Sequence, residues 1–226
     1  MAYILHIEST STVCSIALSD NEELISFKEL NNGYTHAENL HVFIQDVIME
    51  AGIKARQLNA VAVSNGPGSY TGLRIGFSAA KGLAYALQIP LITVETLQVL
   101  TVAALQKENK NALYCPMVDA RRMEVYCAIY DSGLKEILPV NALVLNEESI
   151  MTLKKDESVY FFGDGMLKAK ELLSSMHNSF FIEDITASAK NMISLAFKKF
   201  EQKEFADVAY SEPNYLKEFF FTTAKK

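Results

Sequence analysis

The sequence predicts an α/β protein of two related lobes, and three observations predict it. Apolar runs of strand length alternate with segments of helical periodicity, the first half opens with three strands in succession, and the second half opens in the same order. The chain has 226 residues, half of them apolar, with 13 Phe and 10 Tyr, which is enough for one large core or two small ones.

The apolar run 3–7 ends at Glu8, residues 13–18 follow a Ser/Thr turn, and 24–27 follow Asp20-Asn21, which together read as an antiparallel meander. Thr35 and Glu38 stand at capping-box spacing and Gly52 follows the last periodic residue, so 35–51 is a helix with a defined start and stop. A strand over 58–63, a helix over 71–87, a strand over 89–94 and a helix over 96–106 complete the half. In the second half, 113–118 ends in Asp119, a turn carries Arg121 and Arg122, and strands follow at 124–130 and 134–138. This repeats the strand, acid, turn, strand, strand order of residues 3–27. The strand 159–162, its Gly163-Asp164-Gly165 loop and a helix over 166–176 echo 58–63 with its own loop and helix. A strand over 180–182 and a helix over 187–200 follow, and Pro213-Asn214-Tyr215-Leu216 reads as an anchored piece of tail. The expected lobes are 1–107 and 108–226. A strand–acid–turn–strand unit in both lobes points to the actin-like ATPase fold of the ribonuclease H-like class, in which nucleotide phosphates sit between lobes against those turns.

Composition narrows the function. Net charge is −6, and the densest basic cluster, 190–203, is interleaved with Glu201 and Glu204, so the chain lacks the basic stripe of an autonomous RNA binder. Cys14, Cys115 and Cys127 are odd in number and have no metal-ligand spacing, which argues against a disulfide framework and a thiolate zinc site. No basic region precedes the short N-terminal apolar run, and the longest uncharged stretch, 82–94, contains Pro90. That is well short of the ~20 apolar residues of a spanning helix. The expected compartment is the cytoplasm, with no membrane contact.

The sharpest local feature is Ser64-Asn65-Gly66-Pro67-Gly68-Ser69-Tyr70-Thr71-Gly72, a strand feeding a glycine-rich loop that opens a helix. It lacks the Lys-Ser/Thr pair of the phosphate loop, and Thr71 stands where the dinucleotide fingerprint needs its third glycine. Gly66 and Gly68 then serve a tight turn and close backbone approach, with a weak nucleotide contact as the competing reading. Glu8, Ser9, Thr10, Gly66, Gly68, Ser69 and Asp119 are the residues of such a nucleotide crevice. Glu8 and Asp119 end the first strand of each lobe, where acids could orient magnesium or water, but no lysine accompanies Glu8. A structural role at the turn competes with catalysis there.

Helix 71–87 is small or apolar nearly all round, with Arg74 and Lys81 its two charges. Glycine costs ~1 kcal/mol relative to alanine inside a helix, so Gly72, Gly76 and Gly82 imply close packing on more than one side. Either the helix is buried between sheet and neighbours, or one face waits for a partner. In helix 35–51, Leu40, Ile44, Val47 and Ile48 form one stripe while Val42, Phe43 and Met49 fall off it, which is wider than a single core contact needs. His36 and His41 are five apart and so miss the i, i+4 spacing of a helical metal pair.

The segment 64–76, with Leu5-His6-Ile7-Glu8-Ser9-Thr10 before it and Val118-Asp119-Ala120-Arg121-Arg122-Met123-Glu124-Val125-Tyr126 after it, resembles the TsaB (YeaZ) family over essentially the whole chain. The resemblance implies an actin-like fold without a working catalytic site. It implies a heterodimer with TsaD, the metal-dependent subunit that transfers threonylcarbamoyl to the adenosine beside the tRNA anticodon, joined by the small ATPase TsaE. Transfer RNA would be met only within that complex. Docking, or a homodimer, would use helices 35–51 and 71–87, here His36, Leu40, Phe43, Ile44, Val47, Arg74, Phe77, Ala80, Lys81 and Ala84. No cofactor or metal of its own is implied, beyond weak ATP or ADP binding at the subunit interface. The catalytic relative's His-x-x-x-His motif is absent here. The competing reading is an enzyme in its own right, an actin-like ATPase or small-molecule kinase, or a glycoprotease-type metallopeptidase.

Overall fold

Three hairpin-connected or neighbouring strands, then a helix, then two strands each followed by a helix: this sequence of elements occurs twice. The computed structural model describes residues 1–31, 36–153 and 155–217, and of residues 36 and 37 the backbone alone. The first half comprises β1 (Tyr3–Glu8), β2 (Val13–Asp20), β3 (Glu23–Asn31), α1 (His36–Glu50), β4 (Ala60–Ser64), α2 (Tyr70–Leu87), β5 (Leu91–Val94) and α3 (Thr96–Lys107). The second comprises β6 (Leu113–Asp119), β7 (Glu124–Asp131), β8 (Glu136–Val144), α4 (Glu147–Ile150), β9 (Val159–Phe162), α5 (Met166–Leu173), β10 (Ser179–Ile182) and α6 (Ile193–Gln202). A 3-10 turn, Ala189–Met192, leads into α6.

The sheets are ordered β3-β2-β1-β4-β5 and β8-β7-β6-β9-β10, so the second repeats the first strand for strand. In each, the first three strands pair antiparallel and the last two add in parallel, as crossover helices require. The second lobe departs from the sequence reading in several places. Strand β8 runs six residues past the expected 138, because Pro139 lies on an edge strand where a missing donor does no harm. The counterpart of the 15-residue α1 shrinks to the four-residue α4, capped by the Asn146 side chain on Ser149 N. Residues 189–192 form a tight turn before the last helix rather than part of it. The start of α1 at Thr35 lies outside the described residues; its stop is as expected, with Gly52 in the left-handed region at φ +68 and its N–H on Met49 O.

Both faces of each central strand are buried, which is why β1 and β4 read as continuous apolar runs. Leu5, Ile7, Val61 and Val63 turn toward α1 and α2. Ile4, Ala60, Ala62, Ile92 and Val94 turn inward to a core shared with Tyr114, Val118, Ala128 and Phe162 of the second sheet. Into that shared core the helices cross over: α3 packs on β6 and β7, while α6 packs on β5 and β1. The outer core of the second lobe, under α4 and α5, contains Cys115, Cys127, Met117 and Phe161. All three cysteines are free and buried.

Candidate functional site

Two places were candidates, the turns between the lobes and the outer faces of α1 and α2. At the first turn, Glu8 is buried and its carboxylate is enclosed by protein donors. Oε1 accepts from Thr10 N at 2.7 Å and Thr10 Oγ1 at 2.5 Å, and Oε2 accepts from Ser64 Oγ. Ser64, which opens the glycine-loop segment just past the expected strand 58–63, is absent from the expected crevice residues; its one signal is that position beside the loop. Ser9 and Thr10 are sealed as well. Ser9 Oγ donates to Gly72 O at 2.8 Å, and Thr10 O accepts from Ser69 N at 2.6 Å. A Cβ added at Gly72 would overlap the Ser9 carbonyl oxygen, one at Gly76 the Ser9 hydroxyl, and one at Gly68 would lie 2.5 Å from Thr10 O. The glycines of α2 thus let the helix press its own backbone onto the β1–β2 turn. Gly66 has φ +108, a conformation that favours glycine. A turn packed to contact in this way leaves little room beneath it for a phosphate or a metal ion, and Glu8 accepts hydrogen bonds there from hydroxyls and a backbone N–H.

Asp119, the matching acid of the second lobe, has a different environment. It is exposed, pairs with Lys168 Nζ at 2.6 Å and accepts from Arg121 N, while its own N–H donates to Asp164 Oδ1 at 2.9 Å. Burial pushes the Asp164 carboxyl above its ordinary range. Glu8 is therefore held within its own lobe's turn and Asp119 by its own lobe's lysine. Among the described residues, no three His, Cys, Asp or Glu side chains come together in a way that could hold a metal ion. His41 is exposed on α1, and the His36 side chain lies outside the described residues.

On the helices, the structure corrects most of the expected docking residues. Leu40, Ile44 and Val47 of α1 and Phe77, Ala80 and Ala84 of α2 are buried in the chain's own core against β1, β2 and β4, so they cannot line a partner surface. Phe43 is half-buried against the same core. The pattern repeats every 3.6 residues on the inward side because that side is the one that meets the sheet. Arg74 and Lys81 remain on the outside. The exposed face of α2 is Arg74, Ser78, Gly82 and Tyr85, one helical ridge at i, i+4, i+8 and i+11. Arg74, Ser78 and Gly82 of this face, with Ile75, Ala79 and Leu83 of α2 and His41 of α1, line an open groove of about 640 Å³. Tyr85 is 81% exposed, and on α1 Val42 and Met49 are 50% and 71% exposed, apolar surface that the core does not use. Gly82 is the residue that decides the character of this face. A Cβ there would meet nothing within 4 Å, so nothing inside the chain requires glycine at that position.

The TsaD family model, tRNA N6-adenosine threonylcarbamoyltransferase, matches residues 32–219 of the chain. The tRNA threonylcarbamoyladenosine biosynthesis protein TsaB of Bacillus subtilis is 30% identical over 222 residues, covering 95% of this chain and 93% of that protein. The chain belongs to the TsaB family, within the wider TsaD group. The solved structure of YeaZ from Pseudomonas aeruginosa superposes with a TM-score of 0.84 at 24% identity, over 96% of this chain and all of that one. The activator of the 2-hydroxyisocaproyl-CoA dehydratase from Clostridium difficile, solved with bound ADPNP, shares the fold more distantly, with a TM-score of 0.52 at 11% identity over 91% of this chain and 98% of that one. The fold is the two-lobed actin-like one. In this TsaB-family chain the first turn is packed closed by hydroxyls and glycines. No helix among the described residues is long and apolar enough to cross a membrane.

Proposed function

We propose that the chain is a non-catalytic subunit in the biosynthesis of threonylcarbamoyladenosine in tRNA, and that it works by docking the exposed face of α2, with the adjoining face of α1, onto the TsaD-type transferase. The observation that carries this reading is Gly82. It sits in the middle of an 18-residue helix, exposed, where alanine would be accommodated and would favour the helix by ~1 kcal/mol. A glycine kept on an open helix face permits another backbone to approach it closely, and Ser78 one turn earlier is small as well. Kinship points to the partner: the chain matches the transferase model over 32–219, so a related chain carries the equivalent of these helices and can meet them helix to helix. The closed Glu8 turn supports the absence of catalysis, because a carboxylate enclosed by Thr10 and Ser64 has no approach for substrate or water. ATP or ADP, where it binds, binds at the interface with the partner and not beneath the β1–β2 turn. TsaE joins, and tRNA is met, only in the assembled complex.

The test is Gly82→Arg, purified and mixed with the transferase of the same organism, with complex formation followed by size exclusion and light scattering. The wild-type chain is expected to form a stoichiometric complex. The variant, with an unchanged circular dichroism spectrum, is expected to form none and to fail in reconstituting tRNA modification. A folded Gly82→Arg chain that still binds and supports modification would overturn the placement of the surface.

A further inference from the structure

One charge on the proposed docking face is held in place without being neutralised, and it is held by the tail. After α6 the chain returns along the first lobe. Ala206 forms a bridge to Leu91, Lys81 Nζ donates to Ala209 O at 3.0 Å and Ser211 O at 2.9 Å, and Asn214 N donates to Asn65 O at 2.7 Å. Beyond that point Tyr215 reaches the first turn of α2. Its ring lies 5.2 Å from the Tyr70 ring, and its hydroxyl accepts from Arg74 Nε at 3.3 Å. The Arg74 guanidinium stands 4.1 Å over the face of Tyr70. Two residues later Lys217 pairs with Glu124 on β7, so the tail spans from α2 to the second lobe.

The chemistry of Arg74 is incomplete. Among the described residues no carboxylate forms an ion pair with it, and Glu212 acts on it only through space. Two other cations on α2 and the tail are used differently, Lys81 by tail carbonyls and Lys217 by Glu124. A guanidinium stacked on one tyrosine and tethered through Nε to another keeps its two terminal nitrogens available in a planar fork, which matches a carboxylate. Because its orientation is set before binding, little side-chain entropy remains to be lost at an interface. Arginines so presented beside an aromatic are the residues on which interfaces concentrate their affinity.

We propose that Arg74 is the charged anchor of the docking surface, that it takes a carboxylate of the transferase, and that Tyr215 of the tail is the positioning residue that presents it. The inference rests on the docking reading above and adds its partner group and its dependence on residues 212–217. The experiment is a set of dissociation constants with the transferase, by titration calorimetry, for wild type, Arg74→Ala, Arg74→Lys, Tyr215→Ala, the Arg74→Ala/Tyr215→Ala pair and Gly82→Arg, with thermal midpoints for each. Arg74→Ala is expected to weaken binding about tenfold or more. Arg74→Lys is expected to weaken it nearly as much, since lysine keeps the charge but loses the fork and the stack. Tyr215→Ala is expected to weaken binding severalfold in wild type and to add nothing once Arg74 is gone. Equal losses for Tyr215→Ala in both backgrounds would show that the tail does not act through Arg74 and would overturn the positioning role. Unchanged binding by Arg74→Ala, with binding abolished by Gly82→Arg, would remove the anchor while leaving the surface. Unchanged binding by Gly82→Arg would remove the surface itself.

Discussion

Replacing a glycine of α2 with alanine should have opposite signs at two positions ten residues apart. At Gly82 the added methyl meets open space, and only the helix propensity changes, so Gly82→Ala should stabilise the isolated chain by ~1 kcal/mol. At Gly72 the same methyl overlaps the Ser9 carbonyl oxygen, a backbone atom tied to β1, and overpacking of that kind costs roughly 1–3 kcal/mol. The same propensity gain offsets part of it, leaving a net loss on the order of 0–2 kcal/mol. Unfolding entropy near 2.1 cal/mol/K per residue makes 1 kcal/mol about 2 °C for a chain of this length. Urea titrations followed by circular dichroism would measure both, read as shifts in midpoint at a constant slope. Stabilisation by Gly72→Ala as large as that by Gly82→Ala would refute the claim that α2 rests backbone to backbone on the β1–β2 turn.

Other expectations follow from buried polar groups and from the core. His6 is fully buried, with Nε2 2.9 Å from Ser19 Oγ and no partner for Nδ1, and burial lowers its pKa from 6.5 to about 3. The unfolded chain gains a proton as pH falls through 6.5 while the folded chain stays neutral down to about 3, so stability is full above that window and lost as pH drops through it. Near pH 4.5 the loss should be about 2–3 kcal/mol, at ~1.4 kcal/mol per pH unit, and a His6→Gln variant should lack that slope in the same titration. Glu8→Ala leaves Thr10 N, Thr10 Oγ1 and Ser64 Oγ without their acceptor, and should cost about 3 kcal/mol in denaturant unfolding. Ala80→Arg places a charge in the core under α2 and should abolish cooperative folding by calorimetry, so a lost complex in that variant would report on the core rather than on docking.

The order of elements was legible because period and punctuation agree: β1 and β2 stop at Glu8 and Asp20-Asn21, α1 stops before Gly52, and the same order resumes at Leu113. The stripe of Leu40, Ile44 and Val47 on α1 was legible, but which face of α1 or α2 meets the sheet was not. Leu40 and Val42 are both apolar, as are Ala80 and Ala86, and only the position of the sheet decides which is buried. The glycines carry the same ambiguity. Gly72 and Gly82 look alike in sequence, yet one is fixed by Ser9 and the other touches nothing. The enclosure of Glu8 was also hidden, because its donor Ser64 is 56 residues away and meets it only when β4 pairs with β1. The tail was half legible: Pro213-Asn214-Tyr215 reads as anchored, but its contacts with Tyr70 and with Arg74, the latter 141 residues earlier, are a product of the whole fold.

The crossing of α3 and α6 has a mechanical consequence. Each lobe's final helix is the lid of its neighbour's sheet, so the two halves are laced together like interlocked hands, and prising them apart would strip Leu97 and Leu100 from one and Met192 and Ala196 from the other. A chain laced in this way is expected to resist hinging about its middle, because opening it would expose the apolar layer that the two sheets share.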